Sequence, residues 1–173
     1  MQTSASLPSQ KMTSQAFSGE SPLVRLLLGT RAGWSPTLAR VTLAAVMFPH
    51  GAQKMLGWFG GYGFNGTMNF FTGTMHIPAL FALLAILAEF AGSLALLAGA
   101  FSRLAAFGIV SVMTVAILTA HAANGFFMNW YGSQKGEGFE YHLLAIALAL
   151  IVMIYGGGKA SVDAMVAQKL ARS

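Results

Sequence analysis

The sequence contains no cysteine and few charged residues. Its 173 residues include 10 Lys and Arg together and only 5 Asp and Glu, so 9% are charged, whereas a soluble domain has roughly 25%. This number is too small to cover the surface of a soluble globule of this size. A soluble enzyme, a disordered scaffold and a nucleic-acid-binding protein are therefore disfavoured. Nucleic-acid binding is disfavoured further, because the net charge of +5 is small and the basic residues form no cluster along one face.

The absence of cysteine excludes disulfides, Cys-ligated zinc, iron–sulfur ligation and a protein thiol as redox carrier. If the protein performs redox chemistry, its electrons must therefore pass through a bound cofactor, a quinone or a partner subunit. What the sequence has in abundance is apolar residues, at 55% of the chain. This composition predicts an integral membrane protein.

Four apolar stretches have the length of membrane spans. Each has roughly 17–24 residues, close to the ~20 needed to cross the hydrocarbon core. The four spans are predicted at about residues 38–59, 78–101, 104–123 and 139–155. The sequence therefore predicts an all-α protein whose residues 35–158 form a four-helix membrane bundle.

Local signals mark the ends of these spans. Ser35 followed by Pro36 predicts the start of the first span, and Pro49 predicts a kink inside it. Ser102 and Arg103 predict a tight connection between the second and third spans. Three glycines at residues 156–158 predict the end of the fourth span.

The two ends of the chain are predicted to lie outside the bundle. Residues 1–34 are interpreted as a flexible polar tail followed by a short interfacial helix at Leu23–Leu28. Residues 159–173 are interpreted as a short amphipathic cytosolic tail. Ser161 and Asp163 mark the start of its helix.

The cations are distributed unequally between the two sides of the predicted membrane. Four spans place both termini and the connection between the second and third spans on one side. Only Lys54 and Lys135 lie on the other side. The first side holds the remaining eight cations: Lys11, Arg25, Arg31, Arg40, Arg103, Lys159, Lys169 and Arg172. The positive-inside rule therefore predicts that both termini are cytoplasmic.

The two outer loops, about residues 59–77 and 124–138, are rich in glycine and aromatic residues. One interpretation is an aromatic belt at the membrane interface, where amphipathic rings are favoured. The other is a cap folded over a site between the helices. In the second case, Trp58 and Trp130 are candidates for contact with a ligand.

Six ionisable residues fall within or at the ends of the spans. A charge at the bilayer centre costs at least ~2.5–3.5 kcal/mol, so it normally faces the interior of the bundle and has a partner. Counting along the spans places all six at the midplane or in the outer half. They are His50, Lys54, Glu89, His121, Glu140 and His142.

Two interpretations fit these residues. Glu89 pairs with Lys54 or a histidine and locks the bundle, or Glu89, His50 and Lys54 form a catalytic cluster in an outward-opening pocket or proton path. His121, Glu140 and His142 are then the candidate ligand-binding residues of that pocket. A quinone headgroup is a suitable ligand, because His and Glu exchange protons readily.

Two further site interpretations are disfavoured. A haem between His50 and His121 would have to bridge a depth difference of roughly 9 Å. Glu140 and His142 are two residues apart, so they cannot both face inward unless the fourth helix begins late enough to leave Glu140 in the loop. No metal site is predicted.

Several motifs, in order, resemble the DoxX family of small four-helix membrane proteins over about residues 36–165. They are PHGAQKMLGWFGGYGFNGT in the first span and its loop, AEFAGSLALLAGAFSRLAA in the second span, NGFFMNWYGSQKGEGFEYHLLA before the fourth span, and GGGKASVDAM after it.

The resemblance implies a bacterial or archaeal cytoplasmic membrane. The DoxD-like members of the family resemble a membrane subunit of a thiosulfate:quinone oxidoreductase, and others act as membrane partners of soluble redox or detoxification proteins. For Arg103 and Asp163, both on the cytosolic side, a role in topology and helix capping is favoured. The positions that match the family are His50, Lys54, Glu89, Arg103, Glu140 and Asp163.

Three functions are consistent with the sequence. The first is a quinone-linked membrane redox subunit, which would make the chain part of an enzyme. The second is a non-catalytic anchor or assembly partner for a soluble oxidoreductase. The third is a small transporter, which would need to oligomerise because four helices enclose a pathway poorly.

Overall fold

The computed structural model describes residues 22–170, and over this range the chain is all-helical with no strand. The predicted tail at residues 1–21 and the last three residues lie outside the described residues. The seven α-helices of the described range are α1 Pro22–Leu28, α2 Trp34–Leu56, α3 Gly63–Asn69, α4 Ala79–Ala98, α5 Ser102–Ala116, α6 Glu140–Tyr155 and α7 Val162–Leu170.

The four longest helices contact one another in cyclic order. Helix α2 packs against α4 and α6, and α5 packs against the same two helices. Their shared core contains Leu43, Met47, Ile109, Ala149 and Val152, all fully buried or nearly so. We call the end where α2 and α5 begin the inner end, and the opposite end the outer end.

Two helices are long and apolar enough to cross a membrane. They are α4, at Ala79–Ala98, and α5 with its continuation to Asn124, at Ser102–Asn124. Helix α6 is apolar but has only 16 residues, about 24 Å at 1.5 Å per residue. Helix α2 has 23 residues but carries two basic side chains and an internal proline.

Apolar side chains remain exposed on the outward faces of these helices. Leu84 on α4, Leu118 after α5 and Leu144 on α6 are each more than half exposed. In water, so large an apolar surface would be costly, whereas lipid tails solvate it. The outward faces therefore agree with a membrane environment.

The first span begins earlier than the sequence predicted. Helix α2 starts at Trp34 with Gly33 as its N-cap residue, so Ser35 lies inside the helix and makes no capping hydrogen bond. The Gly33 carbonyl instead accepts hydrogen bonds from Thr37 and from the backbone of Lys159. Pro36 falls within the first turn, where its missing N–H costs nothing.

The connection between α4 and α5 also differs from the prediction. Ser102 and Arg103 belong to the first turn of α5, and the turn consists of residues 99–101. Gly99 and Phe101 take positive φ angles of 71° and 48° there. The turn closes because Gly99 tolerates this conformation freely and Asp163 binds the backbone N–H groups of Phe101 and Ser102.

The first outer loop is more ordered than predicted. Helix α2 ends at Leu56, not at 59, because Gly57 takes a left-handed conformation with φ 74°. The segment that follows contains a 3-10 turn at Trp58–Gly60, helix α3, and a wide π-helical turn at Phe70–Thr74. The second outer loop, residues 125–139, is irregular, as predicted.

Candidate functional site

A large groove of about 1240 Å³ runs along α4 and α5. Most of its walls are apolar, and small residues such as Gly92, Ala95 and Gly108 line it along the two helices. Its outer part receives polar groups from five parts of the chain: α2, α4, the continuation of α5, the second outer loop and α6. These groups are His50, Lys54, Glu89, His121, Glu137, Tyr141 and His142.

An ion pair forms the centre of the polar part. The Lys54 ammonium lies 2.6 Å from the Glu89 carboxylate and donates a hydrogen bond to it. The Glu89 side chain is 4% exposed and that of Lys54 is 26% exposed. The charged head of Lys54 therefore borders the groove, while Glu89 is buried against α2.

Gly51 permits this pairing. A Cβ atom at Gly51 would lie 2.6 Å from the backbone of Glu89 and Phe90 on α4. Only glycine lets α2 and α4 cross this closely, and Lys54 follows Gly51 by three residues on α2. The sequence interpretation that Glu89 pairs with Lys54 agrees with this geometry.

His50 lies one helical turn before Lys54 and also borders the groove. Its side chain is exposed there, and its ring centroid lies 5.8 Å from that of Tyr141 on α6. The Tyr141 hydroxyl contacts the Met47 sulfur at 3.4 Å. Sequence reasoning missed Tyr141, although its position between two predicted residues, Glu140 and His142, was an available signal.

Two histidine rings are in tilted contact at the outer end of the groove. The ring centroids of His121 and His142 are 4.1 Å apart. His121 Nδ1 donates to the Glu137 carbonyl oxygen at 2.9 Å. His142 is 6% exposed, and its Nδ1 has no hydrogen-bond partner among residues 22–170. A buried unpaired polar atom is costly, and a ligand or water is the common explanation for one.

The structure places three candidate residues outside the groove. Glu140 accepts hydrogen bonds from the Met128 backbone at 3.1 Å and the Trp130 indole at 3.3 Å. It therefore holds the second outer loop in place from the first residue of α6, so the helix does not begin late enough to leave Glu140 in the loop. Trp130 and Trp58 are 79% and 53% exposed and lie away from the groove within the described range.

Other parts of the outer segments do fold over the groove. Phe70, Phe71 and Met75 of the π-helical turn and its end line it, and Met128 of the second loop joins them. The interpretation of these loops as a cap therefore holds for these residues, whereas the exposed tryptophans suit an interfacial belt.

Arg103 and Asp163 lie at the inner end, which is the opposite end of the helices from this polar cluster. Asp163 is 2% exposed, and its two oxygens accept the N–H groups of Phe101 at 2.7 Å and Ser102 at 2.9 Å. These are the unpaired donors at the start of α5. The capping role favoured for Asp163 is thus the one that its hydrogen bonds show.

The arrangement combines an acid–base cluster with a long apolar channel. A cation, two carboxylates, three imidazoles and a phenol are grouped at one end, where they offer hydrogen-bond donors, acceptors and proton-exchanging groups. Nothing in the described residues groups three or more metal-ligating side chains. The polar end and the long apolar walls together suit an organic ligand with a polar head and an apolar chain.

The family model described as DoxX matches residues 35–122 of this chain. The match begins at the second residue of α2 and ends at Ala122 in the α5 continuation, and so includes His50, Lys54, Glu89 and His121. Searches of curated proteins and of solved structures found no match.

Proposed function

This chain belongs to the DoxX family of membrane proteins, and we propose that it is a membrane subunit of a redox system that exchanges electrons and protons with a quinone. The observation that carries this proposal is the α4–α5 groove, whose polar end contains the Lys54–Glu89 pair. A quinone likewise has a polar end and an apolar end, because its ring carries two carbonyl oxygens and is attached to a long isoprenoid chain.

The proposed ligand lies with its ring at the outer end and its chain along α4 and α5. Lys54 donates a hydrogen bond to one ring oxygen, since its ammonium has three N–H groups and Glu89 occupies one of them. His142 and His121 serve the second oxygen. Gly92, Ala95 and Gly108 leave room for the chain beyond the ring.

Reduction of a quinone to a quinol needs two electrons and two protons. The electrons come, in this proposal, from a soluble oxidoreductase partner. Glu89, His50 and the His121 and His142 rings are the groups that transfer protons to the ring oxygens. Their position at the outer end means that the protons are exchanged on that side.

We further propose that α2, α4, α5 and α6 all cross the cytoplasmic membrane of a bacterium or archaeon, with both termini in the cytoplasm. Eight of the ten cations of the sequence support this orientation. Gly92 and Gly108 face the groove in the same way that small residues line helix interfaces in membranes.

The experiment is a titration of the purified protein with decylubiquinone, followed by quenching of tryptophan fluorescence. Glu89→Gln and His50→Ala should each weaken binding about tenfold or more, which is about 1.4 kcal/mol or more. Glu89→Gln removes the charge that holds the Lys54 ammonium in place for the ring, and His50→Ala removes a proton-exchanging group beside it. Lys135→Gln is the matched control, since Lys135 is exposed on the second outer loop. Equal affinities for all three variants and the wild type would contradict the proposal.

A second arm separates the ring from the chain. Gly92→Leu places a larger side chain in the groove one turn from Glu89. A Cβ at Gly92 would have its nearest neighbour, the Ala105 carbonyl oxygen, at 3.9 Å, so the position has room for it. It should weaken decylubiquinone binding about tenfold and leave binding of a chainless ubiquinone analogue unchanged. If both ligands lose affinity equally, the chain does not lie along α4 and α5.

A further inference from the structure

A second, smaller groove lies at the inner end, on the opposite side of the membrane from the polar cluster in the proposed orientation. Its volume is about 200 Å³, and Leu26 and Leu27 of α1 form one wall. The other wall consists of Arg103, Leu104 and Phe107 of α5 and Met153 of α6. Arg103 is thus the one charged side chain among its lining residues.

Two arginines meet the same end of α6. The Arg31 backbone N–H donates to the Tyr155 carbonyl at 2.8 Å, and its guanidinium carbon lies 5.0 Å from the centre of the Tyr155 ring. Arg103 Nη2 donates to the Ile154 carbonyl at 3.3 Å. We call these two residues the Arg31–Arg103 pair.

No carboxylate neutralises this pair through a salt bridge within the described part of the chain, where Lys54–Glu89 is the one ion pair. Arg31 and Arg103 repel each other electrostatically, and Asp163 attracts Arg103. However, both Asp163 oxygens already accept backbone N–H groups at the start of α5. The carbonyl end of α6 therefore holds two cations, and the carboxylate that attracts Arg103 forms no salt bridge with either of them.

Arg103 also has a hydrogen-bonding group without a partner. Its Nε is buried and makes no hydrogen bond to any residue from 22 to 170. A buried unpaired guanidinium nitrogen is costly, and a bound anion that accepts its hydrogen bond is one explanation for it. Arginine binds phosphate particularly well, because its planar fork matches the phosphate oxygens.

We propose that the Arg31–Arg103 pair binds the phosphate of an anionic phospholipid, with one of its acyl chains in the groove beside α1. The pair supplies the positive charge, and Leu26, Leu27, Leu104 and Phe107 supply the apolar wall. A soluble phosphate ester would use the positive charge but has no acyl chain to contact the apolar wall. The exposed apolar faces of the same helices place the groove where lipid is the solvent.

The test is native mass spectrometry of the delipidated full-length protein, with added phosphatidylglycerol or phosphatidylcholine of the same acyl chains. The wild type should retain phosphatidylglycerol about 30-fold better, because each basic residue beside an anionic headgroup contributes about fivefold. Arg31→Gln/Arg103→Gln should bind both lipids alike. Lys169→Gln, which removes an exposed cation of α7, should keep the preference.

Two further arms keep the result interpretable. If the double variant does not fold, Arg31→Gln alone is the substitute, because the Arg31 side chain is exposed and its loss should not disturb folding. It should lower the preference for phosphatidylglycerol about fivefold. Millimolar glycerol phosphate should leave phosphatidylglycerol bound, since it lacks the acyl chain. Equal retention of both lipids by the wild type, displacement by glycerol phosphate, or a matching loss in Lys169→Gln would each overturn the proposal.

Discussion

Arg40 shows how much a single side chain decides at the inner end. It is 2% exposed, and its guanidinium donates to four backbone carbonyls. Two of these, Leu96 and Leu97, lie in the last turn of α4, and the other two belong to the segment after α6 at Gly157 and Ala160. The last carbonyls of a helix have no partner inside it, so the guanidinium satisfies several at once.

We expect Arg40→Met to destabilise the protein by about 3–5 kcal/mol, because methionine leaves these buried acceptors unpaired. Denaturant unfolding in detergent micelles measures this loss. Arg40→Lys should recover only part of it, since a lysine has three donors on one atom and cannot span the fork. Lys169→Met, at an exposed position, is the control.

A stability of Arg40→Met within about 1 kcal/mol of the wild type would mean that water satisfies these carbonyls instead. Arg40 would then serve topology alone, as the sequence analysis assumed.

At the scale of the elements, the close crossing of α2 and α4 positions the ion pair. Gly51 on α2 lies against the backbone of Glu89 and Phe90 on α4. Lys54 and Glu89 meet at 2.6 Å because the two helices approach so closely there. The crossing is therefore as important to the polar cluster as the charged residues themselves.

Gly51→Ala should be destabilising, although alanine favours a helix over glycine by about 1 kcal/mol. The new Cβ would lie 2.6 Å from the α4 backbone, and overpacking of this kind costs about 1–3 kcal/mol or more. The same variant should weaken decylubiquinone binding, because the displaced helices lengthen the Lys54–Glu89 contact. Unfolding and the fluorescence titration measure the two effects separately.

Gly73→Ala is the matched control, because a Cβ at Gly73 would have nothing within 4 Å. It should change the free energy of unfolding by less than about 0.5 kcal/mol. If Gly51→Ala were equally neutral, the helices would not depend on glycine for their approach.

For the molecule as a whole, the two ends have different chemistry. The inner end holds the buried contacts of Arg40 and Asp163 and the Arg31–Arg103 pair. The outer end holds the acid–base residues around the groove. This division matches the proposed orientation, in which the inner end faces the cytoplasm.

The lack of cysteine makes that orientation directly testable, because single introduced cysteines have no background. Ser133→Cys, in the second outer loop, should react with a membrane-impermeant maleimide added to intact cells. Gln168→Cys, on α7, should react only after the membrane is permeabilised. Both positions are exposed in the structure, so access to the reagent depends on the side of the membrane. The inverse labelling pattern would show that the termini face outward.

Periodicity and turn residues predicted the elements better than their ends. The ends of α6 at Glu140 and Tyr155 lie within one residue of the prediction, since Gly156 stops that helix with a positive φ of 77°. Ser35 was the wrong start signal for α2, because Gly33 is the N-cap residue. The Gly33 carbonyl accepts hydrogen bonds from the Thr37 hydroxyl and the Lys159 backbone N–H. The latter contact comes from far along the chain, and a local pattern cannot show it.

The candidate site was predictable in part for the same reason. The rarity of charge in apolar spans identified Glu89, Lys54 and His50, which the structure brings to one groove. Tyr141 was missed because a phenol is common in membrane helices, and Glu137 was not a candidate site residue because it lies in a loop. Their place in the groove depends on how α6 packs against α2 and α5.

The sequence by itself determined the class of protein, since composition and motif order already indicated a helical membrane protein of the DoxX family. It also marked the rare charges whose burial in lipid would be costly. Only the tertiary structure decided which of them meet. Glu89 could have paired with a histidine or with Lys54, and the glycine contact between α2 and α4 selects Lys54. Arg40 and Asp163 became structural residues for the same physical reason, because unpaired backbone groups at helix ends need partners that are distant in sequence.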